Sequence, residues 1–462
     1  MSKTDKQNLK PGYKQSAVGM IPEDWEVLRL EKVCSHFKSG KNITSKQIQG
    51  AGDYPVYGGN GLRGYFDSYT HEGCFVLIGR QGALCGNIQM ISGRTYISEH
   101  AIAVQTNNKN DLKYLRYKLE FKNLNRLSES SAQPGLSVSK LLRYKIPLPP
   151  LPEQEKIAAI LSCWDSAIEK CEAAIKGLEK RNKGLAQQLL RGPGKRPTPN
   201  PSEEGNLREQ PSEEGNSGKK QITQENKNRT TQAAKSTKPS PLSGGNHHPK
   251  SPLPGGDLGV GPAEGKHLRL KGFEGDWEEV KLGDFFTERK EAGFDNLPLL
   301  SVGEKGVYPQ NESNKKDTSN KNKSKYKRIC PNDIGYNTMR MWQGRSALSD
   351  LEGIVSPAYT IVTPKKNANP KFFAALIKID EVVHKFYRNS QGLVSDTLNC
   401  KFKDFKIVKV NVPPTLEEQH AIVDILDQAD QELALQIAKK EALQKQKAGL
   451  MQKLLTGEVR VK

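Results

Sequence analysis

Pro149-Pro150-Leu151-Pro152-Glu153-Gln154-Glu155-Lys156-Ile157 opens a 44-residue segment that closes at Gly192, and the segment recurs without a gap from Pro414 to Gly457. Seventeen of the 44 positions are identical, among them Leu151/Leu416, Glu153/Glu418, Gln154/Gln419, Ile157/Ile422, Asp165/Asp430, Gly184/Gly449 and Gly192/Gly457. A shorter echo lies upstream of each copy: Trp25-Glu26-Val27-Leu28-Arg29-Leu30 against Trp277-Glu278-Glu279-Val280-Lys281-Leu282. The chain is therefore an internal duplication, in which each half is a globular body followed by a repeated segment.

Both repeated segments read as long helices. In the first, apolar residues step by four and three through Ile157, Leu161, Trp164, Ile168, Cys171, Ile175 and Leu178, then Leu185 and Leu189. That is a heptad seam. The second carries Ile422, Leu426, Leu433, Leu443, Leu450 and Leu454 at matching places, with Gln436, Lys440 and Lys447 interrupting it. The spacing predicts two helices that pair as an antiparallel coiled coil; two amphipathic helices lying on their own bodies remain the alternative. Proline before each helix favours an extended approach, and Glu153-Gln154 and Glu418-Gln419 place polar groups in the first turn, where unpaired N–H groups favour them. Gly192 and Gly457 suit the left-handed position after a helix.

Five segments follow: a first body at 1–148, a helix at 149–192, a linker at 193–265, a second body at 266–413 and a final helix at 414–462. The linker is rich in Pro, Gly, Ser and Lys, repeats Pro-Ser-Glu-Glu-Gly-Asn at 201–206 and 211–216, and is expected to be disordered. The bodies read as mixed α and β. Cys74–Ile78, Ala101–Val104, Tyr359–Val362 and Phe405–Val410 are expected strands, and Leu112–Leu119 and Phe372–Phe386 expected helices. The fold class is thus α+β, with a pseudo-two-fold repeat.

Charge separates the parts. Of the net +19, residues 1–148 contribute 21 Lys/Arg against 12 Asp/Glu and residues 272–413 contribute 23 against 18, while the repeated helices are near neutral. Basic bodies on neutral helices favour a polyanion for the former and protein partners for the latter. Seven scattered cysteines, a polar N-terminus and no apolar run near ~20 residues predict a soluble, reduced, cytoplasmic protein. No phosphate-binding G-x-x-x-x-G-K-[ST] loop, H-E-x-x-H, G-x-S-x-G or Cys/His metal constellation is present, and the Pro-Pro pairs lack the aromatic residue of an adenine methyltransferase motif. The chain is expected to bind rather than catalyse, with no cofactor or metal of its own.

Two loops carry base-reading residue types. The first is Tyr57-Gly58-Gly59-Asn60-Gly61-Leu62-Arg63 followed by Arg80-Gln81; the second is Asn337-Thr338-Met339-Arg340-Met341-Trp342-Gln343-Gly344-Arg345. Arg reads guanine and Asn or Gln reads adenine bidentately, while Lys meets phosphates. Tyr57, Asn60, Arg63, Arg80, Gln81, Asn337, Arg340, Trp342, Gln343 and Arg345 are the candidate DNA contacts, although Gly-rich loops with Arg also occur as ordinary turns. The Gln81-Gly82 and Gln343-Gly344 pairs are expected at similar places in the two bodies, and the lysine run 315–327 would add affinity beside a duplex.

A body ending Pro147-Leu148-Pro149-Pro150-Leu151-Pro152-Glu153-Gln154, followed by a helix closing Leu189-Leu190-Arg191-Gly192, resembles the specificity subunit of type I restriction-modification systems. The copy ending Leu454-Leu455-Thr456-Gly457-Glu458-Val459-Arg460-Val461 closes as that family does. The resemblance implies two target-recognition domains reading the halves of a bipartite double-stranded DNA site, helices that space them, two docked methyltransferase subunits acting on adenine N6, and restriction subunits. The inserted linker departs from it. A two-domain DNA-binding regulator would also explain the charge, and a coiled-coil scaffold the helices, but neither explains both.

Overall fold

The computed structural model describes residues 11–82, 84–128, 135–192, 269–303, 306–312, 322–392 and 398–461; the expected linker at 193–265 lies outside them. Two compact units are formed, one from residues 1–183 with 427–462, the other from 184–426.

In the first unit a four-stranded antiparallel sheet runs in the order Cys34–Ser39, Ala101–Thr106, Phe75–Gly79, Ile88–Ile91. The expected strands at 74–78 and 101–104 are its two central members. They are continuous apolar runs because both faces are covered. Val76, Ile78, Ile102 and Val104 face a core shared with Tyr114, Leu115, Ile157 and Leu161. Phe75, Leu77, Ala101 and Ala103 face a smaller one with Ile91 and Ile97. A second sheet orders Gly61–Phe66, Tyr54–Gly58, Arg94–Ile97 and His71–Glu72, with the middle pair parallel. Glu26–Arg29 pairs with Lys145–Leu148 just before the first long helix, Leu151–Leu190.

The second unit repeats the main sheet and the closing strand pair, but in place of the second four-stranded sheet it has two antiparallel pairs, Leu300–Gly303 with Gly306–Pro309 and Lys327–Ile329 with Gly353–Val355. Its sheet orders Phe286–Glu288, Tyr359–Pro364, Ile334–Asn337 and Ser346–Leu348, and Glu278–Lys281 pairs with Lys409–Val412 just before the second long helix, Leu416–Thr456. Its core is aromatic, with Phe405 stacked on Tyr336 and Phe386. Two expectations shift here. Phe402–Phe405 is a helical turn rather than the start of a strand, because the Asp404 carboxylate accepts the Lys401 N–H at 3.1 Å and fixes the first turn. The expected helix 372–386 is two, Pro370–Leu376 and Asp380–Asn389, since the chain becomes extended at Ile379 before the acidic Asp380-Glu381 restarts it.

The Glu-Gln pair at each helix start does more than complement a dipole. Glu153 and Gln154 are buried, and so are Glu418 and Gln419. Glu153 accepts the indole N–H of Trp25 (3.1 Å) and both arms of Arg460 (2.8 Å each). Glu418 accepts the indole of Trp277 (3.1 Å) and Arg269 (3.3 and 3.1 Å). The bidentate bond at the first site holds the Arg460 guanidinium well above its ordinary range. Beside each Glu, the glutamine oxygen accepts a backbone N–H at the start of a body helix: Gln154 from Asp111 (3.0 Å) and Gln419 from Asn369 (2.9 Å). Each long helix is thus locked to its own body by Trp and a helix cap, with an arginine added from beyond the second long helix at Glu153 and from just before Trp277 at Glu418.

Two of the polar residues that interrupt the second seam, Lys440 and Lys447, have acidic partners. Lys447 meets Asp165 at 2.6 Å, Lys440 meets Glu172 at 3.9 Å and Arg181 meets Glu432 at 2.7 Å. Asn182, aligned with Lys447, donates to Ala429 O (2.8 Å) and Asp430 (3.4 Å), so the Lys447–Asp165 pair has a counterpart made of the aligned residues. As the partner on the first helix rises from 165 to 182, that on the second falls from 447 to 429. Burial opposes ionisation of Asp165, but hydrogen bonds from Lys447 and Tyr117 and the charges of Lys447 and Arg116 hold its carboxyl below the usual range. Of the seam positions, Ile157, Leu161, Leu189, Ile422 and Leu454 are buried in the body cores, whereas Trp164, Ile168, Leu178, Leu185, Leu426, Leu433, Leu443 and Leu450 are half-buried.

Candidate nucleic-acid interface

In the first unit the two candidate stretches come together although about 20 residues separate them. Pro55–Gly58 runs antiparallel to Gly61–Tyr65, and Gly59-Asn60 forms the turn. The turn presses so closely on the neighbouring loop that a Cβ on Gly59 would lie 2.7 Å from His100 O and 2.9 Å from the Gly79 Cα. Asn60, Arg63 and Gln81 are exposed and Arg80 half-exposed. The Arg63 stem lies across Gly58, where a Cβ would meet its Cδ at 2.8 Å. Tyr57 differs: its ring packs on the Phe75/Leu77/Ile97 core and sets the hairpin in place.

Arg80 is fixed through its main chain, its N–H donating to His100 O (2.9 Å) and its carbonyl accepting from Leu136 N (2.9 Å). The Gln81 amide oxygen meets His100 Nδ1 at 3.1 Å. Arg80 and Gln81 line one side of a cavity of about 520 Å³ whose other walls include Leu136, Ser137 and Ser139. A guanidinium, an amide, an imidazole and hydroxyls thus converge on one edge of the body, a set able to donate to guanine O6/N7, pair with adenine and hold phosphate. His100 was not singled out in the sequence. It sits alone in Ser98-Glu99-His100, and only the sheet topology carries it to Arg80.

The second unit places its loop at the equivalent position. Thr338 N–H donates to Ala358 O (3.3 Å) and its carbonyl accepts from Cys400 N (2.8 Å), reproducing the Arg80 pattern. Tyr359 N–H to Ser356 O likewise repeats Ala101 N–H to Ser98 O, both at 3.0 Å. Arg80 therefore corresponds to Thr338, and Gln81 to Met339 rather than to Gln343; the two Gln-Gly pairs occupy different points of their loops. Asn337 accepts the Met339 N–H (2.9 Å), and Gly344, left-handed at φ 72°, turns the chain after a short helical turn at Met341–Gln343. Arg340, Gln343 and Arg345 are exposed. Trp342 is half-buried, its indole N–H donating to Met339 O (3.0 Å) and its ring edge-on to Tyr387. Tyr387 and His384, one helical turn apart, were missed because they read as an ordinary helix face.

The lysine run divides. Lys327 donates to Tyr359 O (2.7 Å) and Arg328 pairs with Glu291 and Glu352, so both serve the body itself; Lys315, Lys316 and Lys321 lie outside the described residues. Among the described residues no group of three or more His, Cys, Asp or Glu could hold a metal ion, and no helix is long and apolar enough to cross a membrane.

A doubled α+β body, each copy closed by a strand pair, a Glu-Gln lock and a long helix, defines the class. The chain belongs to the type I restriction modification DNA specificity domain family, whose model matches residues 22–180 and again 274–445. It is 45% identical over 113 residues to the type I restriction enzyme EcoprrI specificity subunit of Escherichia coli, covering 24% of this chain and 28% of that protein. It is 30% identical over 183 residues to the MjaVIII specificity subunit of Methanocaldococcus jannaschii, covering 37% and 43%. Each alignment thus spans less than half of the relative's length. The crystal structure of a type I restriction-modification S subunit from M. genitalium superposes with a TM-score of 0.52 at 15% identity, covering 96% of this chain and 99% of that one.

Proposed function

We propose that this chain is the specificity subunit of a type I restriction-modification complex, a non-catalytic DNA-binding subunit. Each body reads one half of a bipartite site in double-stranded DNA. The single observation that carries the proposal is positional. Two bodies of the same family place polar or cationic loops at the same main-chain position, Arg80 in one and Thr338 in the other.

In this reading Asn60, Arg63, Arg80 and Gln81 contact bases or phosphates of one half-site, and Asn337, Arg340, Trp342, Gln343 and Arg345 those of the other. Tyr57 supports its hairpin. The long helices pair as an antiparallel coiled coil that sets the spacing of the half-sites, supported by the falling register of the Asp165–Lys447, Glu172–Lys440 and Arg181–Glu432 contacts. Their outer faces receive two methyltransferase subunits, restriction subunits join that core, and the complex works in the cytoplasm. The test is a modified-base map of genomic DNA with and without the gene, followed by reconstitution with the accompanying methyltransferase. Loss of N6-methyladenine at one split motif is expected. Methylation that is unchanged by the deletion, and independent of this chain on reconstitution, overturns the proposal.

A further inference from the structure

The two candidate loops sit at equivalent positions but differ in chemistry. Where the first unit has Arg80-Gln81 beside His100, the second has Thr338-Met339 beside Ala358. Met339 and Tyr387 are each 47% exposed, large apolar groups outside the unit's core. Trp342 joins them. Its indole is pinned to Met339 O, and its ring centroid lies 6.2 Å from Tyr387 at 63°. Tyr387 in turn lies parallel to His384, with centroids 6.2 Å apart and 17° between planes. The result is a preset apolar and aromatic ledge. Arg340 and Arg345 on the loop and Arg388 on the helix, all exposed, neighbour these residues in the chain, whereas Lys385 is turned to Glu381 (3.2 Å) and Lys409 O (3.0 Å).

We propose that Met339, Trp342 and Tyr387 form a wedge that stacks on, and partly opens, a base step in the half-site read by the second unit. The inference rests on the DNA-reading function proposed above and adds the mode of reading. An apolar ledge with exposed arginines beside it in the chain suits a polyanion with aromatic faces better than a protein groove. The phosphates engage the cations while the bases meet the rings. Such a wedge discriminates through the ease of opening a step, favouring pyrimidine–purine steps over stiff A-tracts. The first unit, by contrast, reads through hydrogen bonds from Arg80, Gln81 and Arg63. The two halves of the site are therefore recognised by different physics.

The experiment uses the full chain and duplexes carrying the split motif found by methylation mapping, with 2-aminopurine placed in turn at each position. On binding, emission is expected to rise severalfold at one step of the second half-site and at none in the first. The Met339→Ala/Tyr387→Ala double variant, both positions being surface, is expected to lose that rise and bind about tenfold more weakly, with the same salt dependence. Trp342→Phe, which keeps a ring against Tyr387, is expected to retain most of the rise. Binding without any rise, or a rise that survives the double variant, overturns the wedge while leaving the DNA-reading function intact. A folded chain that binds no duplex even at low salt removes that function, and the wedge with it.

Discussion

Replacing Arg460 with alanine should destabilise the first unit by about 2–3 kcal/mol. Arg460 holds Glu153 with two 2.8 Å bonds, and Glu153 is only 5% exposed. Removing one partner of a buried ion pair costs about 3–5 kcal/mol, because the remaining charge is stranded. Three features reduce that figure. The Arg460 side chain is 19% exposed, and Trp25 still donates to the carboxylate at 3.1 Å, as does Val461 N–H at 3.4 Å. Its second partner, Asp24, is exposed and adds about 0–1 kcal/mol at most. Urea unfolding followed by indole emission and circular dichroism provides the measurement, since Trp25 is fully buried against this site. The decisive comparison is the double variant Glu153→Gln/Arg460→Met. If a stranded carboxylate is the main cost, the double variant is more stable than Arg460→Ala alone. A loss below ~1 kcal/mol for Arg460→Ala, or a double variant at the sum of its singles, would refute the reasoning. Arg269→Ala should cost the second unit less, its bonds to Glu418 being longer at 3.1 and 3.3 Å.

Gly192→Ala and Gly457→Ala should each lower stability by about 1–3 kcal/mol, read as a fall in Tm, because both residues are left-handed and the new Cβ would press on Trp277 or on Pro22 and Trp25. Asp165 is held below its ordinary range, so its contribution is present above the unfolded carboxyl value of 3.8 and is lost as pH falls through the lower folded value. Asp165→Asn should therefore flatten the acid limb of the stability curve, and an unchanged limb would exclude this cluster as its source. Lys118 is 1% exposed, and burial, aided by the charge of Lys122, pushes its ammonium down to about 7. The unfolded chain then binds more protons between about pH 7 and 10, so stability should rise over that interval and Lys118→Met should abolish the rise. Deleting residues 195–262 should leave the methylated motif unchanged; a new motif in that variant would make the segment part of recognition.

The strongest sequence signals were those in which one period governs one element. The heptad steps from Ile157 give an unbroken 40-residue helix, and the apolar runs at 74–78 and 101–104 are strands covered on both faces. Glu153-Gln154 was visible as a repeated pair, but its partners lie at Trp25, Asp111 and Arg460, and no local pattern announces contacts over such separations. The same limit governs the candidate interface. Arg80 and Arg63 belong to ordinary-looking glycine turns, and His100 joins them only because Ala101–Thr106 and Phe75–Gly79 are adjacent strands. In the second unit, Tyr387 meets Trp342 through the packing of a helix on a loop more than 40 residues upstream. Phe405–Val410 misled at its start because its apolar, β-branched residues run on into the strand Lys409–Val412, while Asp404 had already committed the backbone to a helical turn.

The Glu153–Arg460 lock also has a consequence in time. Arg460 lies 307 residues beyond its partner. At a synthesis rate of roughly 5–20 residues per second, Glu153 leaves the ribosome some ~15–60 s before the cation that neutralises it. Throughout that interval Glu153 has neither the guanidinium nor the Val461 N–H that it accepts in the finished unit. A polypeptide stopped anywhere in between never acquires the guanidinium. Completion of the first unit is thereby tied to translation of the second body, so a product that stops short of Arg460 is expected to carry a less stable first unit.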